Sequence, residues 1–247
     1  MPGGESSGEP VDTQDTEKWD SDPAGMMEYY KNQPYTLGQS IADIIDNSYD
    51  ANATKIDVRI DFDPSDPNKP YIVIMDNGDG ISQDEMKNAL RLGVRRNRSD
   101  TELGVFGIGM KLSSLAQANE VTVYSKKDGK VAIRRISASY ITDNNVAEVL
   151  KFHSGSQAFE LCESRFIDGD WSTMILLEDL HGARRFMSMS KSLQDSLSSE
   201  LKKIKTHLGL TFQRVIEERT NIELKFNNKD VIPIDPFMPW EINAYYG

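Results

Sequence analysis

The chain has 247 residues, 38% of them hydrophobic, and a formal net charge of −11. That length suits one large domain, or one domain and the start of a second. No run of eighteen apolar residues is present to span a membrane, the single cysteine (Cys162) excludes an internal disulfide, and no Cys/His cluster exists for zinc. The acidic balance argues against a grip on a nucleic-acid backbone by general charge. The first twenty residues lack the basic patch and apolar stretch of a secretory signal, and a reducing, cytoplasmic setting is expected.

Residues 1–22 carry seven acids against Lys18, a net of −6 that leaves −5 for the rest, and have almost nothing apolar to bury. Residues 1–24 are therefore expected to be a disordered acidic tail. Met26 to Lys31 reads as a short helix stopped by Pro34. Thr36 with Gln39 forms a capping box ahead of a helix from Leu37 to about Asn52. Leu37, Ile41, Ile44, Ser48 and Ala51 share one stripe of that helix, and Asp43, Asn47 and Asp50 another. Lys55 to Asp61 alternates as a half-buried strand, and residues 63–70 read as a turn-rich connection. Tyr71 to Met75 is an apolar strand running into Asp76-Asn-Gly-Asp-Gly80. Ser82 caps a helix to about Leu92, and Gly93 to Leu103 is a polar, basic loop. Glycines 104, 107 and 109 lead into a helix beginning near Met110. Val121–Lys127 and Lys130–Ile136 form a hairpin across Asp128-Gly129. Further strands are expected at Ala147–Phe152 and Thr173–Glu178, a mostly helical stretch at Ser190–Glu218 with a break at Gly209, and a last hairpin of Ile222–Phe226 with Val231–Ile232 over Asn227-Asn228. Without strict β-α-β alternation, a doubly wound parallel sheet is disfavoured.

Three segments carry chemistry. Asp43 and Asn47 lie four apart on one helical face, where a carboxylate could polarise water and a carboxamide oxygen could ligate Mg²⁺ beside phosphates; a solvated polar face is the plainer alternative. Asp76 could accept a hydrogen bond from an exocyclic amine, with the glycines after it admitting a planar ligand. Taken alone, Asn-Gly-Asp-Gly is as well a turn, and a calcium loop is excluded by the missing glutamate at its twelfth position. Gly104-Val-Phe-Gly107-Ile-Gly109-Met-Lys111 offers backbone N–H groups to an anion at a helix start. A dinucleotide fingerprint is rejected because a basic loop, not a strand, precedes it, and the Walker Gly-Lys-Ser/Thr is absent.

In this order and spacing the three segments resemble the Bergerat-type ATPases, the group of gyrase, the ninety-kilodalton heat-shock chaperone, histidine kinases and MutL. The N-box is matched by Asp43-Ile-Ile-Asp-Asn47-Ser-Tyr-Asp50-Ala51, the first glycine box by Asp76 to Gly80, and the second by Gly104 to Gly109. Ser172-Thr173 stands where the group usually has Gly-Thr. Asp46-Asn47-Ser48 together with Phe-Gly-Ile-Gly-Met-Lys is most similar to Morc-like and chaperone-like branches. The resemblance spans roughly residues 25–180. It implies an α+β fold: a two-layer α/β sandwich with a mixed, largely antiparallel sheet and helices on one face. It also implies ATP and Mg²⁺ as cofactors, with Asn47 on the metal, Asp76 on the adenine amine and Thr173 assisting. Asp50, Ala51, Gly78, Gly80 and Ile81 would line the nucleotide. Gly104, Val105, Phe106, Gly107, Ile108 and Gly109, with Met110 and Lys111, would wrap the phosphates, although Lys111 could equally be a solvent-exposed helix lysine.

The catalytic base implied is Asp43, where the group typically has glutamate. Aspartate is shorter by one C–C bond, about 1.5 Å, so slow hydrolysis is expected, with a non-hydrolysing assembly module as the alternative. The resemblance further implies a lid at 93–103 and a nucleotide-dependent homodimer. It divides the chain into the tail, an ATP-binding domain at 25–185, and a helical and hairpin extension at 186–247, read as the start of a transducer in a longer protein.

Overall fold

A computed structural model describes residues 22–63, 65–90, 108–153, 155–156, 160, 170–181, 193–218 and 221–237. Residues 1–21 of the tail expected at 1–24, the loop at 93–103 and the glycines at 104 and 107 lie outside the described residues, while residues 22–24 cap and open a helix. Helix α1 (Pro23–Lys31) begins earlier than expected because Asp22 caps it, its carboxylate accepting from Gly25 N at 2.9 Å. Helix α2 (Leu37–Asp50) starts at the predicted capping box, with both halves formed. It ends two residues short of expectation because Asn52 turns left-handed, at φ 60°.

Strands β1 (Lys55–Asp63) and β2 (Asp66–Asp76) pair antiparallel, with Asp63 opposite Asp66. The expected long connection at 63–70 is thus strand from Asp66 onward, with Pro70 opposite Phe62 within the pairing. Helix α3 (Gln83–Ala89) opens on a second capping box, Ser82 with Glu85. Helix α4 spans Ile108–Leu115, two residues ahead of the expected start. Strands β3 (Ala118–Lys127) and β4 (Lys130–Ser137) turn through Asp128 and Gly129, both at positive φ, as a two-residue hairpin requires. A helix that periodicity did not show, α5 (Ala138–Asn144), follows, capped by Ser137.

After β5 (Leu150–Phe152) and β6 (Thr173–Leu180) come α6 (Leu193–Thr211), α7 (Gln213–Glu218), β7 (Glu223–Phe226) and β8 (Lys229–Asp230). Gly209 does not break α6; the helix passes through it and stops at Thr211. A Cβ on Gly209 would meet the Ile232 carbonyl oxygen at 2.5 Å, so the glycine admits a crossing backbone. The last hairpin closes with Lys229–Asp230 rather than 231–232, since Asn227 and Asn228 both adopt positive φ and form the turn themselves.

The described strands form one mixed sheet, in the order β5-β4-β3-β6-β2-β1-β7-β8. Every pair is antiparallel except β1 with β7. Helices pack on one face. Ile41, Ile44 and Ile45 of α2, Met110 and Leu115 of α4, and Leu208 and Phe212 meet Ile56, Val58, Ile72, Ile74, Val123 and Ile175 of the sheet. Full burial of each large apolar side chain is worth about 1.5–3 kcal/mol, so α2 is anchored chiefly by its isoleucines. The opposite face carries a smaller cluster of Val73, Met75, Tyr124, Ile133, Met174 and Leu176, flanked by Trp171. Central strands are therefore apolar on both sides; β1, expected to be half-buried, buries Ile56, Asp57 and Val58 in succession. Among the described residues, no helix is long and apolar enough to cross a membrane.

Candidate nucleotide-binding site

Where β2 ends beneath α2, Asp76 is 4% exposed. Its Oδ2 accepts from Ser48 Oγ at 3.0 Å, and its Oδ1 accepts from Gly78 N at 2.9 Å and from Ser172 Oγ at 3.4 Å. Burial nonetheless pushes its carboxyl above the ordinary range, and the hydrogen bonds from Gly78, Ser48 and Ser172 offset this in part. Asp76 pairs across β2–β6 with Thr173, and Ser125 of β3 pairs with Thr173 from the other side. The Ser125 and Thr173 hydroxyls are 3.1 Å apart. Cross-strand partners share a sheet face, so a carboxylate and two hydroxyls form a small polar floor on the helix-bearing face.

The loop after Asp76 is pinned at each residue. Asn77 Oδ1 accepts from Thr54 N at 2.9 Å and Lys55 N at 2.8 Å. Asp79 N donates to the Ala51 carbonyl at 2.8 Å, and Ile81 N to Ser125 Oγ at 2.8 Å. Gly78 has no room for a side chain, since a Cβ would lie 2.5 Å from the Ala51 oxygen. Gly80, at φ 69°, would press a Cβ to 2.4 Å from the Lys126 oxygen. Both glycines are thus demanded by protein backbone pressing on the loop. Ile81 is buried, and Glu85, at the start of α3, is tied to Lys127 of β3 at 3.0 Å.

On α2, Asn47 Nδ2 donates to the Asp43 carbonyl oxygen. That turns its carboxamide oxygen into the atom able to ligate a cation. Asp43 is half-buried; burial raises its carboxyl, while a hydrogen bond from Ser113 of α4 draws it back. Asp50 is exposed and Ala51 caps the helix. In α4, Met110 is 1% and Lys111 6% exposed. The solvent-exposed alternative for Lys111 is thereby excluded. Ile108 and Gly109 form its first turn, while Gly104, Val105, Phe106 and Gly107 lie outside the described residues. The structure thus gathers Ala51, Asp76, Gly78, Gly80, Ile81 and Thr173 at the C-terminal end of α2, with Asn47 one turn and Asp43 two turns back along the helix.

The sequence reading placed Ser48 and Ser172 within motifs without giving either a role in the site, and missed Ser125. Their signal was present in two cases: Ser48 and Ser125 are hydroxyls on otherwise apolar faces, the first after Ile41 and Ile44, the second after Val121 and Val123. Among the described residues no three His, Cys, Asp or Glu side chains could hold a metal by themselves. A divalent ion at Asn47 would thus draw its remaining ligands from phosphate oxygens and water, and the orientation of the Asn47 carboxamide fits that role.

Residues 35–167, just over half of the chain, match the model of the histidine kinase-, DNA gyrase B- and HSP90-like ATPases. The chain belongs to this family. Its ATPase domain is also similar to the mouse ATPase MORC2B, 25% identical over 113 residues that make up 45% of this chain and 11% of the relative. The Caenorhabditis elegans ATPase morc-1 is 28% identical over 130 residues, 53% of this chain and 14% of that one. The Arabidopsis thaliana protein MICRORCHIDIA 1 is 29% identical over 118 residues, 41% and 18% of the two chains. The chain thus spans under a fifth of the length of these relatives. Membership of the family makes this an ATP-binding domain of ATPase type.

Proposed function

We propose that the domain binds Mg·ATP at the end of α2 and hydrolyses it slowly, with Asp43 as general base. The observation that carries this is the one-helix arrangement. Asp43, Asn47 and Ser48 follow one another along α2, and Ser48 is bonded to the buried Asp76 28 residues later. Asp76 accepts the adenine amine. Ser48, Ser125 and Thr173 complete the polar floor around it. Asn47 holds the ion, which when bound neutralises phosphate charge. Asp43 sits one turn before Asn47, at the phosphate end, and burial raises its carboxyl above the ordinary range, which makes the carboxylate a stronger base. Ser113 orients that carboxylate from α4.

Asp43→Asn keeps the shape and removes the base. Turnover is expected to fall about 10²–10⁴-fold while ATP affinity is retained. Asp43→Glu extends the side chain by about 1.5 Å and is expected to retain or raise turnover. Wild-type turnover at background, unmoved by either change, would support a non-hydrolysing module, and strong turnover in Asp43→Asn would place the base elsewhere. On this reading ATP closes residues 93–103 over the phosphates and promotes a homodimer, checked by sedimentation with and without a non-hydrolysable analogue.

A further inference from the structure

Asn77 stands between Asp76 and Gly78, yet its side chain is engaged by the protein and not by the site. Its Oδ1 takes two backbone N–H groups, from Thr54 at 2.9 Å and from Lys55 at 2.8 Å, and its Nδ2 donates to Thr54 Oγ1 at 3.0 Å. Both lone pairs of the carboxamide oxygen are thereby used. Its own N–H donates to the Lys55 carbonyl at 3.2 Å, one step beyond the pairing of Ile56 with Asp76. Asn77 thus ties the end of β2 to the short junction, residues 51–54, that joins α2 to β1.

The same junction is tied to the loop twice more. Asp79 N donates to the Ala51 carbonyl at 2.8 Å, and Asn52, left-handed at φ 60°, donates its Nδ2 to Asp79 Oδ2 at 2.8 Å. The junction in turn closes the last turn of α2. Ala51 N and Ala53 N donate to the Asn47 and Ser48 carbonyls, each at 3.0 Å. A path of hydrogen bonds therefore runs from Asn47 through the junction to Asn77, the neighbour of Asp76. Asp76 and Asn47 serve the two ends of one ligand, the adenine amine and the phosphate-bound ion. A ligand held at both ends gains from the second contact only when the two anchors stand at its own span.

We propose that Asn77 is a positioning residue for Mg·ATP, fixing the α2–β1 junction against the adenine loop and so setting the separation of Asp76 and Asn47. The proposal rests on the roles given above to those two residues. Asn77 acts on the span, and so on the whole nucleotide more than on either half.

The test measures, by calorimetry on the full chain, the affinities for Mg·ATP, adenosine and magnesium tripolyphosphate. Asn77→Ala removes the tie and is expected to weaken Mg·ATP by about 10- to 100-fold, but each half-ligand by no more than about threefold, since either half follows its own anchor. Asn77→Asp keeps one oxygen for the Thr54 and Lys55 N–H groups and offers a second to the Thr54 hydroxyl. It is expected to restore Mg·ATP affinity to within about threefold of wild type. A general loosening of the fold would instead weaken all three ligands alike. Should Asn77→Ala fail to fold, Asn52→Gly serves: glycine keeps the left-handed backbone and loses the bond to Asp79, with the same pattern expected at about two- to fivefold. Wild-type Mg·ATP affinity in the variant, equal losses with all three ligands, or no recovery in Asn77→Asp would each overturn the proposal. Asp76→Asn and Asn47→Ala are measured alongside. If both leave Mg·ATP binding intact, the reading of the site fails and this inference with it. If they weaken it and Asn77→Ala does not, the positioning role alone falls.

Discussion

Asp76→Asn separates what the nucleotide site needs from what the fold needs. The Gly78 N–H can only donate, so the amide oxygen of asparagine must take the Oδ1 position, facing Gly78 and Ser172. The amide NH₂ then falls at the Oδ2 position, 3.0 Å from Ser48 Oγ. Ser48 can accept that hydrogen bond and donate its own proton to the Ile44 carbonyl, already 3.4 Å away. Every protein contact thus survives. A ligand amine, however, loses one charged acceptor oxygen and faces a donor in its place. A hydrogen bond to a charged group is worth about 1.5–3 kcal/mol, which converts to ATP binding weaker by about 10- to 150-fold.

Stability should move the other way. Burial raises the Asp76 carboxyl above its unfolded value. The folded state therefore binds more protons than the unfolded state over that interval. Stability falls as pH rises from the ordinary carboxylate range through the raised value. Asparagine carries no charge, so the nucleotide-free variant is expected to melt at or above the wild-type temperature at pH 7. Its melting temperature should also lose that pH-dependent component. Calorimetric titration with ATP and thermal melts across pH read the two effects separately. Wild-type ATP affinity would refute the assignment of the adenine contact. A fall of more than about 4 °C in melting temperature, over 1 kcal/mol for a domain of this size, would show that Ser48 does not exchange roles.

Three further outcomes are expected. Asn47→Ala should abolish the gain in nucleotide affinity that Mg²⁺ provides and leave Mg²⁺-free binding nearly unchanged, as titrations with and without the ion would show. Gly209→Ala should destabilise the domain despite alanine's better helix propensity of about 1 kcal/mol, because the Cβ meets the Ile232 oxygen at 2.5 Å. Overpacking of this kind costs about 1–3 kcal/mol, and a raised melting temperature would mean the crossing segment yields freely. Gly80→Ala combines positive φ with a 2.4 Å approach to the Lys126 oxygen; reduced ATP affinity together with a lower melting temperature is expected, and loss of affinity alone would assign the glycine to the ligand instead.

Local chemistry determined much of this protein from the chain alone. Capping boxes at Thr36 and Ser82 depend on residues three apart, and the Asp128-Gly129 and Asn227-Asn228 turns on residues that tolerate positive φ. The start of α2 and the ends of two hairpins were legible for that reason. The apolar spacing on α2 likewise showed which side would meet a sheet, and the order of three short motifs pointed to the nucleotide-binding fold. Contacts distant in sequence were not legible. Ser48 reaching Asp76, Ser125 joining Thr173, and β7 lying parallel to β1 are set by packing between elements that no local pattern relates. The same holds for the glycines: Gly78 and Gly80 read as room for a ligand, yet it is the backbone at Ala51 and Lys126 that forbids a side chain there. Gly209 read as a helix break, but a helix held on both sides by buried contacts tolerates a glycine, and only the tertiary structure shows the segment at Ile232 that crosses it.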